Sequence, residues 1–396
     1  MELYYEDPYL KSFSSKVVSL SYSNSHALIV LERTAFFPGG GGQSFDTGTM
    51  LGKKGSAKVV ETRVEKGQVV HVCMLDEVIE VGEEVQCRID WERRYELMRA
   101  HTAQHMFFQC LSRFFKELQV LKDNIEVGRH ALFIRSPEPI DFARLAEAEK
   151  LANQVIREGK RVIIRWVKRE EAEKGDFRVK LDRVRGNEVR VVEIEDFDKS
   201  ACSGVHILNT REIGLLAVIR LTREGDDYTL EFEFGDKAKD FLLDIKKTCM
   251  STSSILQTHP ELLEKTAEKL KAENLTMQEQ LKELNESLLS TLEFTEKEGI
   301  KIYSKIFSGM DSKKLMEKAG ELIKEDDVLV ILGNKGERGF LLLAKNPKMD
   351  FDLAEVASKA FKLMEGKGGG KEYFMSGAGK ADKLEGAVEF VKRVLE

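Results

Sequence analysis

The chain has 396 residues, of which 42% are hydrophobic and 33% charged, and a formal net charge of −6 at pH 7. That length and composition exclude a disordered protein and leave room for two or three domains with hydrophobic cores. The five cysteines include no CxxC pair, and there is neither a signal-peptide pattern nor an apolar run long enough to cross a membrane. We therefore expect a cytoplasmic protein that works in a reducing compartment, away from membranes.

Residues 1–90 have the pattern of an all-β domain. Short runs of apolar and β-branched residues cover 16–21 and 26–32, and two further runs, 57–64 and 68–75, flank the turn Glu65-Lys66-Gly67. Strands at this spacing, two of them joined as a hairpin, predict a small β-barrel.

A glycine-rich segment between Thr34 and Asp46 interrupts these strands. Ordering four consecutive glycines costs backbone entropy, so an ordered run is expected only where φ must be positive or another molecule approaches closely. The neighbouring aromatic and polar residues favour a binding loop over a flexible hairpin tip, and no Lys-Ser/Thr pair follows to make a P-loop. We assign substrate binding to the residues Gly40, Gly41, Gly42, Gln43 and Asp46.

Residues 91–240 are predicted to form a mixed α/β domain. The segment 91–115 contains strong helix formers and no Pro or Gly, so His101 and His105, four residues apart, lie on one helical face beside apolar positions. Further on, Cys202 and His206 have the same spacing, in a turn that follows a predicted strand. Three imidazoles and one thiolate suit a tetrahedral Zn²⁺ ion.

Each motif alone has an ordinary alternative, since single histidines are common in cores and on surfaces. The two matched pairs together favour a metal site made by His101, His105, Cys202 and His206. A metalloprotease is excluded because Thr102 stands where such a helix carries its catalytic Glu, and the deaminase pattern is absent.

The same domain contains a basic segment. Residues 157–190 hold twelve Lys or Arg against seven Asp or Glu, among them Arg183 and Arg185. A solvated face of mixed charge and a surface that follows RNA phosphates explain this composition about equally well.

Residues 255–298 are predicted to form a long helix that begins near Pro260. Its apolar positions recur at steps of four and three, with Asn274 among them, which is typical of a coiled coil. A helix that packs on its own chain is the alternative. If the helix is continuous to about Phe294, it spans about 50 Å.

Residues 300–396 alternate helical and strand-like segments and are predicted to form a compact α/β domain. The segment between its last two helices contains three glycines flanked by lysines. Such a segment can present backbone N–H groups and positive charge to phosphate, so we assign nucleic-acid binding to Lys367, Gly368, Gly369, Gly370 and Lys371.

Three motifs in this order resemble the editing domain of alanyl-tRNA synthetases and its free-standing relatives, the AlaX proteins. The residues that carry the resemblance are Thr34-Ala35-Phe36-Phe37-Pro38 before the glycines, Arg99-Ala100-His101-Thr102-Ala103-Gln104-His105, and Cys202-Ser203-Gly204-Val205-His206. The family often has Gly-Gly-Thr where this chain has Ser203-Gly204-Val205. The layout after residue 255 resembles the C-terminal domain of the same synthetases, as in the long AlaX form.

The resemblance implies a zinc-containing hydrolase that removes serine, and as a second substrate glycine, from tRNA specific for alanine. It implies that Thr34 hydrogen-bonds the serine side chain, and that the C-terminal half contacts tRNA and forms a homodimer. Nothing in the chain resembles an ATP-dependent catalytic domain, so we do not expect it to charge tRNA. Four protein ligands are typical of a structural zinc, whereas activation of water needs an open position, and both roles stay open. The alternatives are a non-catalytic zinc-containing RNA-binding dimer, and editing of threonine-specific tRNA.

Overall fold

The computed structural model describes residues 1–23, 25–174, 177–178 and 187–394. The chain forms two compact units, Met1–Met250 and Ser251–Glu396. Each unit combines helices with sheets, so the predicted α+β class is confirmed. Arg183 and Arg185 of the basic segment lie outside the described residues.

The first unit opens with a short helix, α1 (Leu3–Glu6), and a closed barrel, which confirms the predicted barrel. Six antiparallel strands make the barrel in the order β1-β2-β5-β4-β3-β6. Their bounds are β1 Ser12–Ser23, β2 His26–Leu31, β3 Gly48–Leu51, β4 Ser56–Glu65, β5 Gln68–Leu75 and β6 Glu84–Ile89.

Alternation of side chains explains how these strands form a barrel. In β2 every second residue is buried, because successive side chains point to opposite faces and one face lines the barrel core. Lys66 and Gly67 both have positive φ, the conformation of a two-residue turn that matches strand twist, and they join β4 to β5 as the predicted hairpin. The glycine-rich segment lies between β2 and β3.

The helix α2 (Trp91–Leu111) follows the barrel and passes through the core of the first unit. Asp90 caps it by accepting a hydrogen bond from the backbone N–H of Arg93. Apolar residues pack around much of its circumference, which explains why His101 is buried and the side chain of His105 is only 14% exposed. The helix ends at Leu111, four residues before the predicted end.

Two sheets and two further helices complete the first unit. A four-stranded sheet has the order β12-β13-β8-β7, and a three-stranded sheet has the order β11-β10-β9. The elements are β7 Gln119–Glu126, β8 Arg129–Arg135, α3 Phe142–Glu158, β9 Val162–Lys168, α4 Arg169–Lys174, β10 Glu188–Ile194, β11 Asp198–Ala201, β12 Leu216–Glu224 and β13 Asp227–Phe234. Asp141 caps α3, and the helix ends at Gly159, which has the left-handed conformation.

The helix α5 (Gly235–Ile255) contains the boundary between the units, and α6 (Leu263–Ser290) follows a 3₁₀ turn, Pro260–Leu262. The predicted long helix is therefore shorter than expected, since its regular part has 28 residues and Phe294 already begins a strand. Its length is about 42 Å at 1.5 Å per residue. Several of its apolar side chains are exposed, namely Leu270, Leu275, Met277, Leu281 and Leu284.

The second unit contains a six-stranded sheet in the order β14-β15-β16-β17-β19-β18, with one apolar cluster on each side. Its elements are β14 Phe294–Lys297, β15 Ile300–Ser308, α7 Ser312–Leu322, β16 Val328–Lys335, β17 Gly339–Lys345, α8 Leu353–Leu363, β18 Lys367–Lys371, β19 Phe374–Gly379 and α9 Leu384–Val394. The glycine-lysine segment between the last two helices belongs to an antiparallel hairpin, in which β18 forms the edge of the sheet.

Candidate metal centre and active site

Four side chains predicted as metal ligands meet in the first unit. The potential ligand atoms of His101, His105, Cys202 and His206 all lie within 4.8 Å of one another. The Sγ atom of Cys202 is 3.2 Å from Nε2 of His101 and 3.5 Å from Nε2 of His206. Helix α2 supplies two ligands from adjacent turns, and the loop after β11 supplies the other two.

The hydrogen bonds of the three imidazoles fix their tautomers. Nδ1 of His101 lies 2.8 Å from Oε1 of Gln43, an atom that can only accept a hydrogen bond, so this nitrogen carries the proton. The Oγ1 atom of Thr102 donates to the carbonyl of Met98 and therefore accepts from Nδ1 of His206 at 3.1 Å. Both rings are thus left with an unprotonated Nε2 that faces the cluster.

The third imidazole follows the same pattern. Nδ1 of His105 lies 2.7 Å from Oγ of Ser200, and that hydroxyl donates to a carboxylate oxygen of Asp198 at 3.2 Å. The serine oxygen therefore accepts from His105, whose Nε2 stays unprotonated. Partners of this kind orient histidine ligands in metal sites.

Burial keeps the three histidines neutral. Desolvation, with a smaller contribution from the charge of Arg190, lowers the pKa of His101 to about 3. The pKa values of His105 and His206 lie well below the ordinary value, first because of burial and then because of the neighbouring charges. Neutral imidazoles are the form that binds metal ions.

The donor set fits a zinc ion. Three imidazole nitrogens and one sulfur, close together and with their lone pairs directed inward, match the ligand types that Zn²⁺ takes in tetrahedral sites. Gly204 leaves space for the cluster, because a Cβ atom at this position would lie 2.2 Å from Cε1 of His101.

The glycine-rich segment lies against the cysteine loop. All four glycines from Gly39 to Gly42 have positive φ, as expected for an ordered run. A Cβ atom at Gly41 would lie 3.2 Å from Oγ of Ser203 and 3.3 Å from Sγ of Cys202. The backbone of this segment also pairs with β7, where Ile125 exchanges two hydrogen bonds with Gly42 and Ser44.

Gln43 connects this segment to the candidate metal centre. Its Oε1 accepts hydrogen bonds from His101 and from the backbone N–H of Val205 at 3.1 Å, which also settles the orientation of the amide. The sequence assigned Gln43 to substrate binding, whereas its oxygen orients a ligand and holds the cysteine loop. In the sequence, the only sign that Gln43 has a role in the site was its position directly after the glycines.

The carboxylate of Asp46 forms hydrogen bonds with buried groups of the first unit. This carboxylate is fully buried, forms an ion pair with Arg94 and accepts a hydrogen bond from the backbone N–H of Phe37. Arg94 also donates to the carbonyls of Pro8 and Ala35, which ties the segment to α2. These contacts hold the ends of the glycine-rich segment, and Asp46 does not line the cavity described below.

Thr34 is buried in the barrel and is also outside the lining of that cavity. Nδ1 of His71 donates to the carbonyl of Ile29 at 2.9 Å, so Nε2 is unprotonated in the neutral ring. The hydroxyl of Thr34 therefore donates to this Nε2 at 2.8 Å, and it accepts from the N–H of Phe36 at 3.1 Å. One lone pair of the hydroxyl remains, and it can only accept a further hydrogen bond.

A cavity of about 920 Å³ opens beside the candidate metal centre. His105 and Cys202 line it together with two glycines of the glycine-rich segment, Gly41 and Gly42. Aromatic and basic side chains form much of the remaining wall, including Tyr5, Phe108, Lys122, Trp166, Arg178 and Arg190. The volume lies at the upper end of the range for pockets that hold small organic ligands.

Arg190 fixes the wall next to the cysteine. It is 5% exposed, and its Nη1 donates to the carbonyls of Cys202 at 2.8 Å and Gly204 at 2.7 Å. Its guanidinium also lies over the ring of Tyr5, 4.7 Å from the ring centroid. The sequence did not single out this arginine, because a charged residue in a strand carries no sign of burial.

The residues predicted to bind nucleic acid lie in the second unit. Lys367 to Lys371 form the exposed edge strand β18. A Cβ atom at Gly368 would lie 2.4 Å from the ring of Phe361, and one at Gly370 would lie 2.1 Å from the carbonyl oxygen of Phe374. Packing against these neighbours therefore accounts for two of the three glycines.

Three family models match parts of this chain. "tRNA synthetases class II (A)" matches residues 9–93, "Threonyl and Alanyl tRNA synthetase second additional domain" matches residues 189–229, and "DHHA1 domain" matches residues 299–396. The second of these covers the cysteine loop and the third covers most of the second unit.

Curated relatives identify the resemblance more closely. The alanyl-tRNA editing protein AlaX-L of Pyrococcus horikoshii is 27% identical over 97% of this chain and 95% of its own length. The alanine–tRNA ligases of Thermococcus kodakarensis and Pyrococcus furiosus are each 32% identical over 99% of this chain. The chain spans 43% of the length of these ligases. The resemblance predicted from the motifs is confirmed: this chain is a relative of the long AlaX form and of the corresponding region of alanyl-tRNA synthetases.

Among solved structures, the C-Ala domain of alanyl-tRNA synthetase from Aquifex aeolicus matches 26% of this chain and 98% of its own length, with 21% identity and a TM-score of 0.25. That score is too low to support a structural conclusion. In the part of the chain that the structure describes, no helix is both long and apolar enough to cross a membrane.

Proposed function

We propose that this chain hydrolyses the ester bond of alanine-specific tRNA that carries the wrong amino acid, serine first and glycine second. The observation that carries the proposal is the position of the His101, His105, Cys202 and His206 cluster, which adjoins a 920 Å³ cavity beside an ordered glycine-rich segment. A purely structural zinc site has no need for such a cavity or for four glycines at its side.

The residues of the site hold the candidate metal ligands in place. Gln43, Thr102 and Ser200 keep the three imidazoles in one tautomer and orientation. Zinc held by the four ligands would supply a Lewis acid that polarises the ester, or a fixed point that positions the terminal ribose. Of the histidines, His105 lines the cavity, and its side chain is 14% exposed.

The glycine-rich segment lets the substrate approach the backbone closely. Side chains at Gly41 or Gly42 would project from a backbone that borders the cavity, and positive φ makes such residues unfavourable there. Backbone N–H groups in this segment can bind the ester carbonyl as negative charge develops on it.

Removal of serine from alanine-specific tRNA requires a site separate from the one that selects alanine. A pocket built for alanine rejects one added hydroxyl by only about a hundredfold, so a separate hydrolytic site must prefer the hydroxyl. Thr34 lies outside the cavity lining, and it is the proposed hydroxyl partner on the strength of the resemblance alone. The hydroxyl of Thr34 donates its proton to His71, so it can accept a hydrogen bond from the seryl hydroxyl. An alanyl methyl group cannot donate such a hydrogen bond.

We further propose that the second unit binds the body of the tRNA and pairs with a second copy of the chain. Lys367 and Lys371 lie at the exposed edge strand β18 and carry the positive charge that phosphates require. The exposed apolar positions of α6 would be covered in a homodimer.

The proposal is tested with the full chain and seryl-tRNA specific for alanine. Cys202→Ala should lose bound zinc and at least most of the hydrolysis, whereas Cys110→Ala, a buried cysteine outside the cluster, should keep both. Binding of tRNA by the wild-type chain without hydrolysis would favour the non-catalytic alternative. Hydrolysis by Cys202→Ala at the wild-type rate would show that the cluster takes no part in the reaction.

A further inference from the structure

The cavity beside the candidate metal centre is larger than the aminoacyl group alone requires. Pockets of about 300–1,000 Å³ enclose ligands of many heavy atoms, whereas a seryl or glycyl group is far smaller. At about 920 Å³, this cavity has room for a further part of the substrate. In an aminoacylated RNA, the group joined to the amino acid is the nucleoside at the 3′ end.

An exposed tryptophan forms part of the cavity wall. Trp166 lies in β9, is 54% exposed and lines the cavity. It pairs across strands with Arg190, so the two side chains lie on the same face of the sheet. An aromatic ring with about half of its surface free on a cavity wall can take a single-stranded base, which stacks on such rings.

A second aromatic ring stands at right angles to the first. The rings of Tyr5 and Trp166 have centroids 5.9 Å apart and an angle of 84° between their planes. The hydroxyl of Tyr5 donates to the carbonyl of Ser203 at 2.9 Å, and Arg190 covers one of its faces. Tyr5 is thus fixed to the loop that carries Cys202, and the aromatic corner has a defined position relative to the candidate metal centre.

The charge of the cavity wall suits an RNA end. Lys122, Arg178 and Arg190 line the cavity against a single described acidic side chain, Glu188. Arg178 is paired with Asp198, while the buried Nε of Arg190 has no hydrogen-bond partner among the described residues. A net positive wall attracts the phosphates that precede the terminal nucleoside.

We propose that Trp166 is the stacking platform for the 3′-terminal base of the aminoacylated RNA, with Tyr5 as the perpendicular wall that limits where the base can lie. This inference rests on the proposed function and deepens it, because it assigns the nucleotide part of the substrate to particular residues. Stacking here holds the ester beside the cysteine loop, and it is independent of which tRNA is bound, since every base has an aromatic face.

The first test compares two substrates in the full chain: seryl-tRNA specific for alanine, and serine methyl ester, which has no base. Trp166→Ala should lower the ratio of kcat/KM for the tRNA to kcat/KM for the methyl ester by about 5- to 100-fold. Trp166→Phe should retain most of the ratio because it keeps an aromatic face. The control is Tyr22→Ala, which removes an exposed aromatic side chain far outside the cavity lining. An unchanged ratio in Trp166→Ala overturns the inference.

The second test does not depend on hydrolysis. The chain has two tryptophans, so in Trp91→Phe the fluorescence reports on Trp166 alone. A short single-stranded RNA that ends in adenosine should quench this fluorescence, and the same RNA with an abasic 3′ end should not. Equal quenching by both, or by neither, overturns the inference. If seryl-tRNA is not hydrolysed while the first RNA alone quenches, the proposed function is wrong and the base site stands.

Discussion

Oε1 of Gln43 lies 2.8 Å from Nδ1 of His101, although the two residues are 58 positions apart in the chain. This hydrogen bond joins the glycine-rich segment of the barrel region to a candidate metal ligand on α2. Since the same oxygen also accepts from Val205, Gln43 holds the segment, the helix and the cysteine loop together. The geometry of the candidate metal centre therefore depends on the segment proposed to receive the substrate.

Gln43→Ala should weaken metal binding without unfolding the protein. The substitution removes the acceptor that orients His101 and fixes its tautomer, and loss of such a partner lowers metal affinity by about 10- to 100-fold. Competition with a zinc chelator measures this change. Gln86→Ala removes a glutamine whose amide binds Ser14 at the barrel surface, and its zinc affinity should equal that of the wild type. Equal affinities in all three proteins would contradict the orienting role of Gln43.

The residues that meet at the metal centre could be predicted because helical spacing fixes which side chains share a face. His101 and His105 had to point the same way once α2 was predicted, and the similar spacing of Cys202 and His206 supplied the rest. Their burial followed from the apolar neighbours. The small barrel and the hairpin at Lys66-Gly67 followed from alternation and turn chemistry.

What could not be predicted depends on contacts between residues distant in sequence. Gln43, Asp46 and Thr34 also form hydrogen bonds inside the protein, with His101, Arg94 and His71, and no local sequence pattern encodes these partners. The edge strand near Lys367 was not predicted. Its residues Gly368 and Gly370 lie too close to Phe361 and Phe374 for larger residues, and these contacts are known only from the fold.

Thr34→Val should reduce the preference for seryl-tRNA over alanyl-tRNA while zinc remains bound. The isosteric change removes the lone pair proposed to accept from the seryl hydroxyl, and a hydrogen bond of this kind corresponds to about a 2- to 10-fold change. The measurement is the ratio of kcat/KM for the two substrates. Thr49→Val, on strand β3, is the matched control and should leave the ratio unchanged. A normal ratio in Thr34→Val would place serine recognition elsewhere in the site.

The stability of the protein should fall as the solution is acidified from pH 6.5 to pH 4, and His71 should contribute to this. Burial lowers the pKa of His71 to about 4, below the value of about 6.5 in an unfolded chain. Between these values the unfolded state binds more protons, so stability is present above pH 6.5 and is lost as the pH falls towards 4. Urea unfolding at several pH values across this range measures the free energy of unfolding. In His71→Gln the slope of the free energy of unfolding against pH should be smaller by up to about 1.4 kcal/mol per pH unit. An unchanged slope would mean that folding does not lower the pKa of His71.

Replacement of Lys367 and Lys371 by alanine should weaken tRNA binding and flatten its salt dependence. Both side chains are exposed on β18, and each phosphate contact that is lost lowers the slope of log K against log salt by about 1. Filter binding at several salt concentrations measures both quantities. The double variant Lys359→Ala, Lys362→Ala removes two lysines of α8 and is the charge-matched control. If log K falls with log salt at the same slope in both double variants, the lysines of β18 do not contact the RNA.

We propose that the site recognises the wrong amino acid on alanine-specific tRNA. The most direct measurement is the kcat/KM of the full chain, with zinc bound, for serine and for alanine attached to the same alanine-specific tRNA. A site that hydrogen-bonds the seryl hydroxyl should hydrolyse the seryl ester faster, by at least the roughly 2- to 10-fold that one hydrogen bond supplies and by up to about 10⁴-fold where polar groups of the site would otherwise stay unpaired. Hydrolysis of both esters at the same rate would contradict the account.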